Sequence, residues 1–218
     1  MKKSHTIVAL LALLVGSAPA NAQFGVAGRA GTLGLGVEGA LGLTDRVVVR
    51  GGLGLSGLEA TTTFHGIEVA LTLPDHWYNV GIDLYLNGAL RIGGGVLFKS
   101  DDPTITGRIE NGVDVGGRTF TQAELGTLTG RVLSVDRAAY ALIGFGKHTS
   151  GGIGLSSDVG AAFLGSPTVS LASEGGTFAD QAELNSRLEQ EALSFEANMK
   201  TYLKVWPILN LAIRVGAA

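Results

Sequence analysis

The chain has 218 residues, and its 16 basic and 19 acidic side chains give a formal net charge of −3. This balance argues against the concentrated basic surface of a nucleic-acid-binding protein, and the absence of cysteine excludes a disulfide framework. With 34 glycines, no three-residue repeat and 45% hydrophobic residues, the sequence resembles neither collagen nor a polar disordered linker.

The N-terminal segment has the pattern of a secretory signal peptide. Two lysines precede an apolar core over residues 7–15, and Ala20-Asn-Ala22 forms a small-x-small cleavage site. The alternative, an uncleaved membrane anchor, requires a longer apolar helix than this core provides. We therefore predict that residues 1–22 are removed by cleavage before Gln23, and that residues 23–218 form one exported domain.

The clearest pattern after this segment is an alternation with a period of two at residues 33–43. Its apolar positions are Leu33, Leu35, Val37, Leu41 and Leu43, and its other positions are mostly small or polar. A strand of a soluble β-sandwich alternates in the same way, but small residues opposite the apolar face suit the crowded lumen of a narrow barrel. No later segment has the 18 uninterrupted apolar residues of a transmembrane helix, so a closed β-barrel is the remaining way to span a bilayer.

Turn signals join the first strands into antiparallel hairpins. The predicted closing pairs are Leu43 with Val47, Phe64 with Ile67, and Leu86 with Leu90. In the middle hairpin the apolar positions change parity near residues 55–58 and again near 73–76, and the register places the two changes opposite each other. This favours a matched bulge or a membrane exit, where Pro74 is tolerated. A turn at residues 74–77 is the alternative.

The second half of the chain contains strands, a long loop and one helix. We predict a long loop at about 100–129, which could hold a small hairpin of its own, strands at about 131–146, 152–164 and 202–216, and an amphipathic helix at about 178–199. The helix is expected to pack against the barrel mouth or cover a loop rather than bind a partner. Phe145 is expected to pair with Ile153.

The strand count supports a definite fold class. Seven strands are clear, and an even number is normal for bacterial barrels, so we expect an eighth, either at Pro167–Ala172 or by division at Pro74. The predicted fold is all-β: a closed antiparallel transmembrane β-barrel of eight strands with one amphipathic helix before the last strand.

The predicted registers bring charged residues together inside the barrel. Glu38, Arg50, Asp83 and Arg91 follow one another across neighbouring strands with alternating sign, and Asp158 lies opposite Tyr140 on a later hairpin. A pore would use such a cluster as a selectivity ring, whereas a small closed barrel would use it as an internal salt-bridge network. Because eight strands enclose little more space than the side chains fill, we favour the structural network.

Catalytic and metal sites have little support in the sequence. His65 and His148 fall in predicted turns, where side chains are usually solvated, and His76 beside Asp75 has no serine on the same face. The spacing of His, Asp and Glu does not suggest a metal-ligand set, and no Gly-Lys-Ser/Thr phosphate loop occurs. We therefore predict no catalytic residues, no metal and no cofactor.

Several segments resemble a known superfamily. They are Ala30–Glu38, Arg50–Gly52, Tyr140–Gly146, Asp158–Pro167, and the helix followed by Trp206-Pro207 and an alternating last strand. In these segments the chain is similar to small Gram-negative outer-membrane β-barrel proteins, and in particular to an uncharacterised branch of them. The resemblance covers most of the chain after residue 22. It implies an architecture and no catalytic residues.

These observations predict a bacterial outer-membrane β-barrel protein without enzymatic activity, with a structural or surface role and a lumen filled by side chains. A narrow pore, or a barrel that binds a small molecule or lipid, is the alternative. A soluble periplasmic β-sandwich is a weaker one. The expected partners are outer-membrane lipid, the export and barrel-insertion machinery, and a surface ligand of unknown type, but not nucleic acid.

Overall fold

The computed structural model describes residues 23–56, 59–64, 67–109 and 112–217. The predicted signal peptide and the predicted turn at His65–Gly66 lie outside these residues. The described strands are β1 (Phe24–Gly31), β2 (Gly34–Gly42), β3 (Val47–Leu55), β4 (Glu59–Phe64), β5 (Ile67–Thr72), β6 (His76–Asn87), β7 (Leu90–Lys99), β8 (Thr104–Ile109), β9 (Val113–Val115), β10 (Arg118–Phe120), β11 (Gly126–Leu133), β12 (Arg137–Phe145), β13 (Gly152–Phe163), β14 (Thr168–Gly175) and β15 (Val205–Ala217). The helices are α1 (Gln122–Leu125) and α2 (Ala182–Leu203).

Eight strands form a closed antiparallel barrel in the order β1-β15-β13-β12-β7-β6-β3-β2. This confirms the predicted all-β fold of a closed antiparallel barrel of eight strands, including the helix before the last strand. The eighth strand is β1, however, and both predicted candidates for it are wrong. Residues 167–172 contribute to β14 in a different sheet, while β1 has a weak apolar signal because Gly28 and Ala30 share a face with Phe24 and Val26.

Most predicted registers are confirmed. The observed pairs Leu41–Val49, Val47–Leu84 and Ile82–Gly94 belong to the three predicted hairpin registers, although at one turn Asn87 replaces Leu86 opposite Leu90. The predicted pairing of β12 with β13 is wrong by four residues, because Phe145 pairs with Ser157 instead of Ile153. The displacement arises because residues 146–151 turn inward and residues 152–156 pair with β15 alone.

A second, five-stranded sheet continues the barrel wall beyond its end. Its order, β14-β11-β8-β5-β4, repeats the order β13-β12-β7-β6-β3 of the barrel strands to which these strands connect. The registers of β4–β5, β5–β8 and β8–β11 are those of the barrel pairs below them. The predicted long loop at 100–129 is therefore wrong, because the segment holds β8, α1 and the start of β11, but the small hairpin allowed within it is present as β9–β10. We call these five strands the outer sheet.

The strands are interrupted between the barrel and the outer sheet at residues 73–75, 100–103, 134–136 and 164–167, and β3 ends at Leu55 whereas β4 begins at Glu59. Pro74, Pro103 and Pro167 lie in these breaks, and hydrogen bonds connect neighbouring breaks, such as Ser56 N–H to the Asp75 carbonyl at 3.0 Å. The predicted matched break in the long hairpin is thus confirmed, and the alternative turn at 74–77 is wrong.

The strands keep their parity across the break, contrary to the predicted change of phase. On β3 and β4 the odd-numbered Leu55, Glu59 and Thr61 are all exposed. The odd-numbered residues of β11 and β12 are likewise exposed, apart from the half-buried Thr129. What inverts is the chemistry of the two faces. Exposed positions are apolar on the barrel and mostly polar on the outer sheet, so the apolar residues move from the outside of the wall to its inside.

The outer sheet and α2 enclose a small apolar core. Leu184 and Leu188 of α2 pack with Phe120 and Leu125, which confirms the predicted amphipathic helix with a shift of about four residues. Near the start of α2, hydrogen bonds from Arg187 and Arg118 lower the pKa of the exposed Glu183 carboxyl. In the described part of the chain, neither helix combines the length and apolar character needed to cross a membrane.

Candidate functional site in the barrel lumen

The two ends of the barrel differ. Both chain ends of the barrel, the turns 43–46 and 88–89, and the loop at residues 146–151 lie at one end, which we call the short-turn end. The outer sheet lies at the other, the sheet end. The lumen near the sheet end is filled by an apolar cluster: Leu33, Trp77, Leu97, Ala138, Tyr140, Leu142, Ala162, Leu164 and Ile208, with Trp206 against it. Leu33 was predicted to face outward; it lies in the β1–β2 turn and points inward, only 2% exposed.

Charged side chains fill the lumen nearer the short-turn end. The structure brings together the predicted Glu38, Arg50, Asp83, Arg91 and Asp158, all of them buried. Arg50 is central: its Nη1 lies 3.3 Å from Glu38 Oε2 and 2.9 Å from Asp158 Oδ2, and its Nε lies 3.3 Å from Asp83 Oδ1. Every ion pair of Arg50 is therefore made inside the barrel and out of contact with bulk water.

Arg91 closes the other side of this network. Its Nε lies 2.8 Å from Asp83 Oδ2, it forms an ion pair with Asp158, and it donates to the Gly146 carbonyl at 3.0 Å. Asp158 faces inward as predicted, but it lies opposite Gly144 and not Tyr140. Because four is an even number of residues, the register error leaves the side chain on the same face of the strand, and the predicted inward orientation is correct.

Tyr140 lies at the boundary between the two halves of the lumen. Its ring is 5.9 Å from the Arg50 guanidinium carbon, a cation–π distance, and it also belongs to the apolar cluster. Glycines make room for the charged groups beside it. A Cβ at Gly93 would overlap the Asp83 carboxylate, and one at Gly144 would overlap the Arg91 guanidinium. Gly93 and Gly144 thus leave the space that the charged groups of Asp83 and Arg91 occupy.

Sequence reasoning missed two members of the network. Arg29 lies on the unpredicted strand β1, where its Nη1 donates to Asn79 Oδ1 at 2.7 Å and lies 3.5 Å from Glu38 Oε2. His148 was expected to be solvated in a turn, and this is wrong, since it is only 3% exposed. Its ring nitrogens lie 3.7 Å from Glu38 Oε1 and 3.2 Å from Asp83 Oδ2.

His148 is buried because its loop folds into the barrel. We call residues 146–151 the inner loop. The Tyr85 hydroxyl accepts a hydrogen bond from the His148 backbone N–H at 2.8 Å, and Arg214 donates to the carbonyl and hydroxyl of Ser150. Gly25 allows this approach, because a Cβ there would overlap the His148 carbonyl oxygen. No local sequence pattern connects Gly25 with this loop, so the packing was not predicted.

The arrangement favours a packed interior over a reactive site. The side chains of Arg29, Arg50 and Arg91 balance those of Glu38, Asp83 and Asp158, so the network is neutral when His148 is neutral. Among the described residues, no group of three or more His, Cys, Asp or Glu is arranged to hold a metal ion. Between the network and the apolar cluster is a cavity of about 10 Å³, enough for about one water molecule.

The fold is similar to two solved structures. The crystal structure of Acinetobacter baumannii CarO2 matches 89% of this chain and 98% of its own chain, with a TM-score of 0.64 at 18% identity. That of Acinetobacter baumannii CarO matches 88% of this chain and 96% of its own, with a TM-score of 0.60 at 22% identity. No protein-family model and no curated protein matches the sequence. At these identities the likeness establishes the fold alone.

Proposed function

We propose that this chain is a non-enzymatic outer-membrane β-barrel protein whose closed barrel anchors the outer sheet and α2 at the cell surface. The observation that carries the proposal is the reversed polarity of the barrel. Its outward side chains are large, apolar and exposed, for example Ile143 at 61%, Leu155 at 74% and Leu211 at 70%, whereas its buried side chains include six charged residues in ion pairs. Such a surface is stable in lipid and is a liability in water.

The dimensions of the barrel agree with this location. A tilted strand needs about 9–11 residues to cross the apolar part of a bilayer, and the eight barrel strands have between 8 and 13 residues. Barrels of this type have short turns on the periplasmic side and longer excursions outside. The outer sheet and α2 are therefore assigned to the cell exterior, and the inner loop to the periplasmic mouth.

The filled lumen favours an anchoring role over transport. The apolar cluster, the ionic network and the inner loop succeed one another along the axis, with room for about one water molecule between the first two. The partners proposed for the chain are accordingly outer-membrane lipid around the barrel, and the export and barrel-insertion machinery before folding. A ligand, if one binds, is expected on the exterior part.

Two measurements test the proposal. The protein should co-fractionate with outer membranes and migrate faster on a gel when unheated, as a folded barrel does; recovery as a soluble periplasmic protein would contradict it. Purified protein in a planar bilayer should give no steady single-channel conductance. A reproducible conductance would replace the anchoring role with the narrow-pore alternative while leaving the membrane location intact.

A further inference from the structure

The outer sheet has two edges, and one of them is covered. Helix α2 packs along β14 at the first edge, and the Glu196 carboxylate of this helix accepts a hydrogen bond from the Val169 backbone N–H at 3.4 Å. Proteins commonly cover an exposed edge in this way because its free N–H and C=O groups otherwise pair with any extended chain. The edge at β14 is therefore protected by the fold itself.

The second edge, β4, has no such protection. Within the described residues β4 pairs with β5 alone and ends the sheet. Its sequence, Glu59-Ala-Thr-Thr-Thr-Phe64, contains neither proline nor lysine, the residues that usually protect an edge, and its single charge is at one end. Threonine and phenylalanine are also strong strand formers. This edge has the composition of a strand that pairs on both sides.

The hydrogen-bonding phase identifies the groups that the edge presents. Ser56 N–H donates to the Asp75 carbonyl, so this pair is hydrogen-bonded, and in an antiparallel ladder such pairs recur every second residue. Because β4 and β5 keep the register of this pair, the backbone N–H and C=O groups of Ala60 and Thr62 form hydrogen bonds with β5. The backbone N–H and C=O groups of residues 59, 61 and 63 are directed away from the sheet.

We propose that the outer edge of β4 binds an extended segment of another protein, which adds to the outer sheet as an antiparallel strand. The chemistry of the two faces defines this segment. The row of inner-face residues next to β4 includes Ile105 and Leu171, whereas the opposite face carries the half-buried Thr106 and Thr129. The segment should therefore alternate apolar and small polar residues. A basic residue at its C-terminal end would lie opposite the exposed Glu59.

A second copy in the same membrane does not fit this edge. β4 continues β3 away from the barrel, so two copies with the same membrane orientation present parallel strands, not antiparallel ones. A two-fold axis parallel to the strands would also make the polar face of one outer sheet continue into the apolar face of the other. Among chains with the same membrane orientation, an antiparallel occupant of this edge is therefore a different polypeptide.

The test uses the full folded protein in detergent and a dye-labelled synthetic peptide of three Thr-Val repeats followed by lysine, so that the valines lie on the inner face when the lysine is opposite Glu59. Fluorescence anisotropy should give saturable binding. The same peptide with N-methyl groups on alternate residues cannot donate to the edge and should bind about tenfold more weakly or not at all. This inference depends on the proposed function in one respect only, the side of the membrane on which the β4 edge lies. The peptide-binding assay in detergent therefore gives its result independently of the membrane location.

Two proline variants locate the binding. Thr61→Pro removes an outward N–H at a position where an edge strand tolerates proline, and it should reduce peptide binding about tenfold while gel migration remains that of a folded barrel. Val169→Pro makes the same change on the covered edge and should leave binding unaltered. Absence of saturable binding, or equal binding by the Thr61→Pro variant, overturns the proposal. Self-association that Thr61→Pro abolishes would overturn it in favour of a second copy.

Discussion

Substitution of Arg50 by alanine tests whether the lumen network stabilises the barrel. Arg50 contacts the carboxylates of Glu38, Asp83 and Asp158 at 2.9–3.3 Å and is 3% exposed. Its removal leaves three buried carboxylates with two arginines. Asp83 and Asp158 then depend on Arg91 alone among the arginines.

The expected loss follows from the asymmetry of buried ion pairs. Removing one partner of a buried pair typically costs about 3–5 kcal/mol, because the remaining charge is left uncompensated. We expect a loss of this size in the free energy of unfolding for Arg50→Ala, and a similar one for Asp83→Ala, which removes a fully buried carboxylate that contacts two arginines. Against a typical total of about 5–15 kcal/mol, either loss is large.

The assay is equilibrium unfolding by denaturant in detergent micelles. The two tryptophans, Trp77 and Trp206, pack against each other in the lumen with ring centroids 5.1 Å apart, so their fluorescence reports opening of the barrel. Arg46→Ala, at an exposed turn position, is the matched control and should change stability by less than about 0.5 kcal/mol.

A double variant separates charge balance from lost packing. Arg50→Ala combined with Glu38→Ala restores equal numbers of arginines and carboxylates, so its loss should be smaller than the sum of the two single losses by about 1–3 kcal/mol. Strict additivity, or unfolding curves of Arg50→Ala and Asp83→Ala that coincide with the wild type, would refute the reasoning.

Three other predictions concern the surface, the inner loop and the N-terminus. Ile143→Lys places a charge on the lipid-facing side and should cost about 2–4 kcal/mol for folding into vesicles; equal folding yields in the two proteins would argue that this face does not meet lipid. Gly25→Ala should displace the inner loop, because the new Cβ overlaps a loop carbonyl, and limited trypsin digestion should cleave faster after Lys147. Gly28→Ala, with open space around its Cβ position, is the control and should leave the cleavage rate unchanged. Intact mass of membrane-purified protein should correspond to a chain that begins at Gln23, and a mass that includes residues 1–22 would contradict the predicted cleavage.

The sequence was sufficient for the barrel class and for three hairpin registers, because short turns fix a register and two-residue alternation fixes the faces. It was insufficient where the connection is not a tight turn. The β12–β13 pairing was displaced by four residues because the inner loop extends into the lumen, which no local pattern records. The strand β1 was missed because its outward positions include Gly28 and Ala30.

The same causes explain the site. Residues on correctly registered strands, such as Arg50 and Asp83, were placed beside each other from the sequence alone. Arg29 was missed along with its strand, and His148 was assigned to solvent because a turn position says nothing about which way the turn folds. The apolar positions do change parity between the barrel and the outer sheet. This pattern was interpreted as a change in the backbone, but the backbone register continues, and it is the chemistry of the two faces that inverts.

The strand interruptions between the barrel and the outer sheet have a consequence for how such a protein adapts to bilayers of different thickness. In the membrane location that we propose, the height of the membrane boundary is set by side-chain chemistry and three prolines, because the strand order is the same on both sides of the break and most registers continue through it. Exchanging a few exposed residues next to the break would lengthen or shorten the lipid-facing zone without altering any loop or pairing. A lineage with this architecture could follow changes in bilayer thickness by point substitutions alone.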